Sequence, residues 1–123
     1  MTNTMQQPTL NSLDSTLSTD DTQQHKQFMQ EGAAQAVALL KAVGNPHRML
    51  VLCLLMEFGE LTVTQMLHQI DLSQSALSQH LARMRDEQLV TYRRESQTLY
   101  YRISDPNVRQ LIATLKAIFC PNN

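Results

Sequence analysis

The feature that most constrains the fold of this chain is the stretch 72–90, LSQSALSQHLARMRDEQLV, which has one apolar and one polar helical face. Leu77, Leu81 and Met84 recur at helical spacing, and Ser73 precedes them as the predicted N-cap. The opposite face carries short side chains that donate and accept hydrogen bonds: Gln74, Ser75, Ser78 and Gln79. The pattern predicts a helix that packs on one side and offers hydrogen bonds on the other, as the base edges of a groove require.

A shorter helix is predicted directly before this stretch. Thr62 is expected to cap a helix over 63–70, and a tight turn at Asp71 leads into the stretch 72–90. Two helices joined by so short a turn form a helix-turn-helix. After Val90 the apolar spacing changes to alternation, which predicts a hairpin of two strands, each of about six residues, around residues 95–97.

The rest of the chain is predicted to be mainly helical. Residues 1–22 are polar and predict a disordered tail, residues 23–120 form one domain, and residues 121–123 are a short C-terminal end. Within the domain, a first helix is expected over 24–43 and ends at Gly44. A second, mostly apolar helix opens at Asn45 and Pro46, and a last helix opens at Asp105 and Pro106.

The charge distribution points to a local basic surface. The chain has 123 residues and a formal net charge of −1, which by itself argues against a nucleic-acid partner. However, the first 31 residues sum to −3 and the remainder to +2. Between residues 74 and 102, five arginines stand against three acidic residues. A polyanionic partner therefore remains compatible with the sequence.

Composition excludes several classes of protein. No apolar run reaches the roughly 18 residues of a membrane span, and the N-terminus lacks the order of a signal peptide, so a cytoplasmic location without membrane contact is expected. Cys53 and Cys120 do not make a secreted disulfide framework. A small thiol oxidoreductase is the competing enzyme class, but the chain has neither a Cys-x-x-Cys motif nor an evident base beside a nucleophile. No enzymatic activity is expected.

Three segments, in this order, resemble the ArsR-type winged helix-turn-helix repressors: AVGNPHRMLVLCLL, LSQSALSQHLARMRDEQLV and YRRESQTLYYRI. The likeness extends over about residues 24 to 120. It implies a mainly α fold with a small β-hairpin wing and a homodimer formed through the first and last helices. It also implies binding to a near-palindromic double-stranded DNA operator, with two recognition helices about 34 Å apart.

The resemblance assigns roles to individual residues. Gln74, Ser75, Ser78 and Gln79 match the base-facing positions of the family, and Arg93 and Arg94 match its wing contacts to phosphate or the minor groove. Arg83 follows where the recognition helix passes the sugar-phosphate backbone.

Alternative roles that do not involve DNA remain open for these residues. The serines and glutamines could only solvate a helix face, and an arginine such as Arg93 could instead pair with a nearby carboxylate. His80 is expected to pack or hydrogen-bond within the domain. The wing tip has Ser96 where relatives often have glycine, so its geometry is not predicted.

Many ArsR-type proteins sense metals, but this chain has few candidate metal ligands at the positions that the family uses. The third helix has Thr62 and Thr64 where the arsenic- and cadmium-type sites have cysteines. The last helix offers Asp105 but no histidine, because none lies beyond His80. We therefore expect no metal site and no cofactor, although a metal-responsive repressor with other ligands remains an alternative.

The remaining candidate sensor is the pair Cys53 and Cys120. Their positions, in the second helix and at the end of the last, resemble the persulfide-sensing BigR and SqrR subgroup. The resemblance implies that reactive sulfur species induce release from the operator by linking the two thiols through a disulfide or a longer sulfur bridge. Three alternative functions remain: a constitutive repressor whose cysteines are inert, a peroxide-responsive repressor, and a winged-helix module that binds only protein.

Overall fold

The computed structural model describes residues 19–120, which are divided into two compact units with the boundary in the sequence between Ala38 and Leu39. The first unit contains helix α1 (Thr19–Gln27), a π-helical segment (Phe28–Gly32) and the start of helix α2 (Ala33–Val43). Helix α1 begins earlier than the predicted residue 24. Asp20 and Asp21 lie in its first turn, where their carboxylates interact favourably with the positive end of the helix dipole. Residues 1–18 of the predicted tail lie outside the described residues, and residues 19–22 are helical.

The second unit contains the helices that the sequence pattern predicted. They are α3 (Pro46–Phe58), α4 (Val63–Leu67), α5 (Gln74–Asp86) and α6 (Pro106–Phe119). The Asn45 side chain accepts hydrogen bonds from the backbone amides of His47 and Arg48, both at 3.0 Å, and Pro46 occupies the first turn. Thr62 and Gln65 form a reciprocal capping box that starts α4, which ends three residues before the predicted boundary.

The wing is a two-stranded antiparallel hairpin. Strand β1 (Val90–Glu95) pairs with strand β2 (Thr98–Ile103), with Glu95 opposite Thr98 beside the turn. Ser96 starts the two-residue turn with a φ of 57°, a left-handed conformation that glycine adopts without strain. The chain therefore forms the wing tip without the glycine that relatives often have there.

A short bridge ties the wing to the helix-turn-helix. Leu61 and Tyr101 exchange two backbone hydrogen bonds, at 3.1 Å and 2.9 Å, just before α4 begins. Since Tyr101 lies in β2, this pairing fixes the start of α4 relative to the hairpin. Leu61 thus pairs with β2 as a one-residue third segment beside the two strands.

One hydrophobic core holds the second unit together. Its members come from every element after Gly44: Val51, Leu52, Leu55, Leu61, Met66, Ile70, Leu77, Leu81, Met84, Leu89, Val90, Tyr101, Ile103, Val108 and Ile112. Removal of these side chains from water is the main favourable term in folding. The predicted winged helix-turn-helix fold, mainly helical with a small hairpin, is confirmed.

No single helix among residues 19–120 is long and apolar enough to cross a membrane. The helices on either side of the break at Gly44 meet the length and composition criterion only when taken together.

Replacing the cap of α3 tests the local account of this fold. Asn45→Ala removes the acceptor for two helix-end amides, and we expect it to lower the free energy of unfolding by about 1 kcal/mol. Urea unfolding followed by circular dichroism, at one fixed protein concentration, measures the change. Asn45→Ser keeps a side-chain acceptor and should stay within a few tenths of a kcal/mol of the wild type. Equal losses in both variants would contradict the capping role.

Candidate nucleic-acid interface and thiol pair

The recognition helix α5 is held by its apolar face. Leu77, Leu81 and Met84 are almost completely buried, which fixes the rotation of the helix about its own axis. The four residues predicted to read bases are therefore exposed on other faces: Gln74, Ser75, Ser78 and Gln79. This burial pattern is the one that the sequence predicted.

The hydrogen-bonding state of these four residues differs. The Ser75 hydroxyl lies 3.3 Å from that of Ser73, whose oxygen caps the helix by accepting from the Ala76 amide. Across residues 19–120, no hydrogen bond engages the side chains of Gln74, Ser78 or Gln79. Three of the four positions thus present uncommitted donors and acceptors to a partner.

The two arginines at the end of α5 lie in different surroundings. Arg83 is 69% exposed, with its Nε 3.6 Å from a carboxylate oxygen of Glu87 one turn later. Such a long, solvated ion pair adds little stability and leaves the guanidinium available to an anion. The Arg85 guanidinium instead lies over the Tyr92 ring of β1, 5.2 Å from its centroid, and so marks the side of α5 that faces the wing.

The wing arginine Arg93 is already occupied. Its Nε donates to both carboxylate oxygens of Glu60, at 3.0 Å and 3.1 Å, and its Nη1 donates to Glu95 at 2.8 Å. Its guanidinium also covers the Tyr100 ring at 4.4 Å. These bonds, first to Glu95 and then to Glu60, raise the pKa of Arg93 further above its usual range. The structure thus places a residue predicted to contact DNA inside an ion-pair network.

Glu60 is the residue of this network that sequence reasoning missed. It precedes α4 and lies 33 positions from Arg93 in the sequence, and its second oxygen is 3.8 Å from Arg102 of β2. No local spacing rule connects residues so far apart. The pairing of Leu61 with Tyr101 places the neighbouring Glu60 beside the hairpin.

Arg94 lies on the other face of the hairpin. Strand alternation puts it on the side of Tyr92, which is the side that Arg85 of α5 contacts. It is exposed, and no acidic side chain among residues 19–120 pairs with it. Of the two predicted wing contacts, Arg94 has the free guanidinium.

The two cysteines lie on neighbouring helices. Cys53 is half-buried in α3, and Cys120 is exposed at the C-cap of α6, where its amide donates to the Lys116 carbonyl at 2.8 Å. Between the helices, the Lys116 ammonium lies 4.0 Å from the Glu57 carboxylate. Because Glu57 is four residues after Cys53 and Lys116 four residues before Cys120, this contact lies one helical turn from each thiol.

The environments of the two thiols differ in a way that orders their reactivity. Burial raises the pKa of the Cys53 thiol, Lys116 partly offsets this, and Cys120 adds to the increase. A thiol with a raised pKa is less ionised at neutral pH and so less nucleophilic. Cys120 is exposed and is the more accessible sulfur. No group of three or more His, Cys, Asp or Glu side chains within residues 19–120 is placed to hold a metal ion.

Alkylation of the reduced protein tests this order. With iodoacetamide at neutral pH, Cys120 should be modified first and Cys53 several-fold more slowly, with Cys53 gaining as the pH rises toward its raised pKa. Intact mass followed by peptide mapping gives both rates. Cys120→Ser should leave only the slow reaction, and Cys53→Ser only the fast one. Faster labelling of Cys53 at neutral pH would contradict the assignment.

Comparison with known proteins identifies relatives of known class. Residues 45–92 match the family model described as "Bacterial regulatory protein, arsR family". The transcriptional activator HlyU of Vibrio cholerae is 43% identical over 97 residues, which cover 79% of this chain and 89% of HlyU. The HTH-type transcriptional regulator YgaV of Escherichia coli is 45% identical over 93 residues, covering 76% of this chain and 94% of YgaV.

A solved structure gives the same result in three dimensions. The transcriptional repressor BigR from Xylella fastidiosa superimposes with a TM-score of 0.71 at 33% sequence identity. The match covers 80% of this chain and 96% of the BigR chain. At this level of identity and coverage, the likeness extends beyond the fold.

Proposed function

This chain belongs to the ArsR family of bacterial regulatory proteins and is a DNA-binding transcriptional regulator, and we propose that it is a homodimeric repressor switched by Cys53 and Cys120. The proposed inducer is a persulfide or polysulfide that links the two sulfurs and releases the protein from its operator. The observation that carries this proposal is the contact of Glu57 with Lys116, which joins α3 to α6 one turn from each thiol.

Exposed apolar side chains support the proposed dimer. Ile118 and Phe119, at the end of α6, are 60% and 75% exposed. The first helical stretch separately exposes four more large apolar residues: Phe28, Met29, Val37 and Leu40. Large apolar side chains exposed next to each other in the sequence, as in Phe28–Met29 and Ile118–Phe119, are typical of surfaces that a partner covers. A second copy of the chain, paired through the first and last helices as the family resemblance implies, is the proposed partner.

The proposed DNA contact has two parts. The uncommitted side chains Gln74, Ser78 and Gln79, with Ser75, would hydrogen-bond to base edges in the major groove. Arg83 and Arg94 would contact backbone phosphates, which fix the register of the helix on the duplex. In this arrangement Arg93 supports the wing through Glu60 and Glu95, so its charge contributes less to DNA binding than that of Arg94.

The salt dependence of binding separates the two wing arginines. Each phosphate neutralised contributes about −0.9 to the slope of log affinity against log salt concentration. We expect Arg94→Ala to reduce the magnitude of that slope by about one per protomer. Arg93→Ala should change it by less than about half of that, because Glu60 and Glu95 already neutralise its charge. Equal losses of slope would show that Arg93 is a phosphate contact.

The proposed thiol reaction begins at Cys120, the accessible sulfur. Its thiolate attacks the sulfane sulfur of a persulfide RSSH, so that an S–S bond to Cys120 forms and RSH leaves. The Cys53 thiolate then attacks the sulfur of Cys120 itself and expels sulfide. The two thiols lose two electrons, which reduce the sulfane sulfur to sulfide. If both cysteines are first persulfidated, the same attack gives a trisulfide and one sulfide.

The proposed link to DNA affinity runs through α6. A sulfur bridge would tether the C-terminal end of α6 to α3, beside the exposed residues Ile118 and Phe119. If these residues form the dimer interface, the tether shifts the two protomers relative to each other. Both recognition helices must fit successive turns of the same duplex, so a changed spacing lowers affinity.

A DNA-binding titration with parallel mass measurement tests the switch. Reduced protein should bind the operator, and polysulfide should weaken binding. The mass should fall by about 2 Da for a disulfide, or rise by about 30 Da for a trisulfide, which gains one sulfur and loses two hydrogens. Peroxide and zinc are the comparison arms, and release by either without release by polysulfide would favour the peroxide- or metal-responsive alternative. Unchanged affinity and mass after polysulfide would overturn sulfur sensing and leave DNA binding intact.

Cys120→Ser tests whether two thiols are required. The variant keeps the proposed DNA-binding residues, so the reduced variant should bind DNA like the reduced wild type. It should fail to release the DNA when polysulfide is added. Cys53→Ser is the matched control for the second step, and it should accumulate a persulfide on Cys120 without forming a bridge. Normal release by Cys120→Ser would remove the two-thiol mechanism.

A further inference from the structure

Four basic side chains meet where the N-terminus of α3 packs beside α5. His47, in the first turn of α3, has its ring centroid 5.8 Å from that of His80 in α5, with the rings tilted by 48°. Arg48 follows His47 on α3, and Arg83 lies one turn after His80 on α5. We call these four residues the α3 flank.

The α3 flank has more positive than negative charge even when both histidines are neutral. Glu87 alone serves two guanidiniums, at 4.0 Å from Arg48 and 3.6 Å from Arg83. The Arg48 side chain is only 12% exposed, and its buried Nε has no hydrogen-bond partner among the described residues. The α3 flank is therefore incompletely neutralised, which favours the approach of an anion.

The position of the α3 flank on the recognition helix suggests which anion this is. Helical spacing puts His80 and Arg83 on one side of the exposed face of α5, while Arg85 and the wing lie on the other side. A helix in the major groove has a sugar-phosphate strand on each side. Arg94 stands on the wing side, and the α3 flank stands on the opposite side.

We propose that the α3 flank binds a backbone phosphate of DNA and that His80 takes up a proton when it does so. This inference rests on the proposed docking of α5 in the major groove. The backbone amides at the start of α3 do not contribute, because the Asn45 side chain already accepts from those of His47 and Arg48. The ligand is a phosphodiester, and the contact is independent of base sequence.

The direction of the pH effect follows from the charges around His80. In the free protein, burial lowers the pKa of His80, and Arg48, His47 and Arg83 lower it further, whereas Glu87 is the one nearby acid that pairs with these arginines. A phosphate beside the ring favours the imidazolium and raises that pKa. The bound state then holds the proton more tightly than the free state. Affinity therefore rises as the pH falls through the window between the two pKa values.

The test uses a labelled duplex of about 30 base pairs and mixed sequence, because a phosphate contact does not require the operator. Fluorescence anisotropy at constant ionic strength, with a reductant present, follows the affinity of the full chain between about pH 8 and pH 6. We expect the wild type to gain roughly three- to tenfold in affinity across this range. The salt slope should also steepen toward the lower pH, since a new positive charge displaces one more counterion.

Matched variants assign the effect to the α3 flank. His80→Gln should reduce the gain to less than about twofold. His25→Gln, which changes a histidine of α1, should keep the dependence of the wild type. Circular dichroism at both pH values shows whether each variant is folded.

Two outcomes would overturn the inference while leaving DNA binding intact. One is a wild-type affinity that does not depend on pH, and the other is a His80→Gln variant that keeps the full dependence. Absence of binding at any pH, by contrast, would be a failure of the DNA-binding function itself. The two failures are therefore distinguishable in one experiment.

Discussion

The burial of Leu77, Leu81 and Met84 is the constraint on which the proposed DNA-binding face depends. A helix of 13 residues with short polar groups on its outer side has little stability by itself. Packing against the core supplies that stability and also fixes which side faces outward. A rotation of α5 by one residue would bury polar side chains and expose leucines. The orientation of the proposed base-reading surface is thus a consequence of core packing rather than of its own interactions.

A second constraint, the bridge between Leu61 and Tyr101, sets the geometry of the wing. It brings Glu60 next to β1 and β2, where this carboxylate pairs with Arg93 and Arg102. Exposed ion pairs contribute little to overall stability, but a network that binds one guanidinium from several sides orders it. The hairpin therefore keeps Arg93 on one face, and strand alternation puts Arg94 on the other.

The sequence predicted those parts of the structure that depend on local patterns. Apolar spacing, the N-caps at Asn45, Thr62 and Ser73, and the change to alternation after Val90 identified the helices and the hairpin to within a few residues. The interactions of Arg93 with Glu60 and of His47 with His80 were not predictable in this way. Both join residues 33 apart in the chain, and they form only when tertiary packing brings separate elements together. The start of the first helix was also missed, because Thr19–Gln27 contains only polar residues and so shows no apolar periodicity.

Helix α3 takes part in both proposed regulatory effects, the thiol switch and the proton-linked phosphate contact. Cys53 lies one turn before the contact of Glu57 with α6, and His47 lies in the first turn, beside α5. In the proposed switch, a tether at Cys53 acts on the helix whose first turn lies beside α5, so the proposed redox and proton effects share one element. Such an element couples two sites when its position has two discrete arrangements that both sites bias. If the sulfur bridge shifts α3 against α5, the phosphate contact of His80 should weaken together with the dimer spacing. In that case the bridged protein loses its pH dependence as well as its affinity, whereas a change in dimer spacing alone lowers affinity and leaves the pH dependence of residual binding intact.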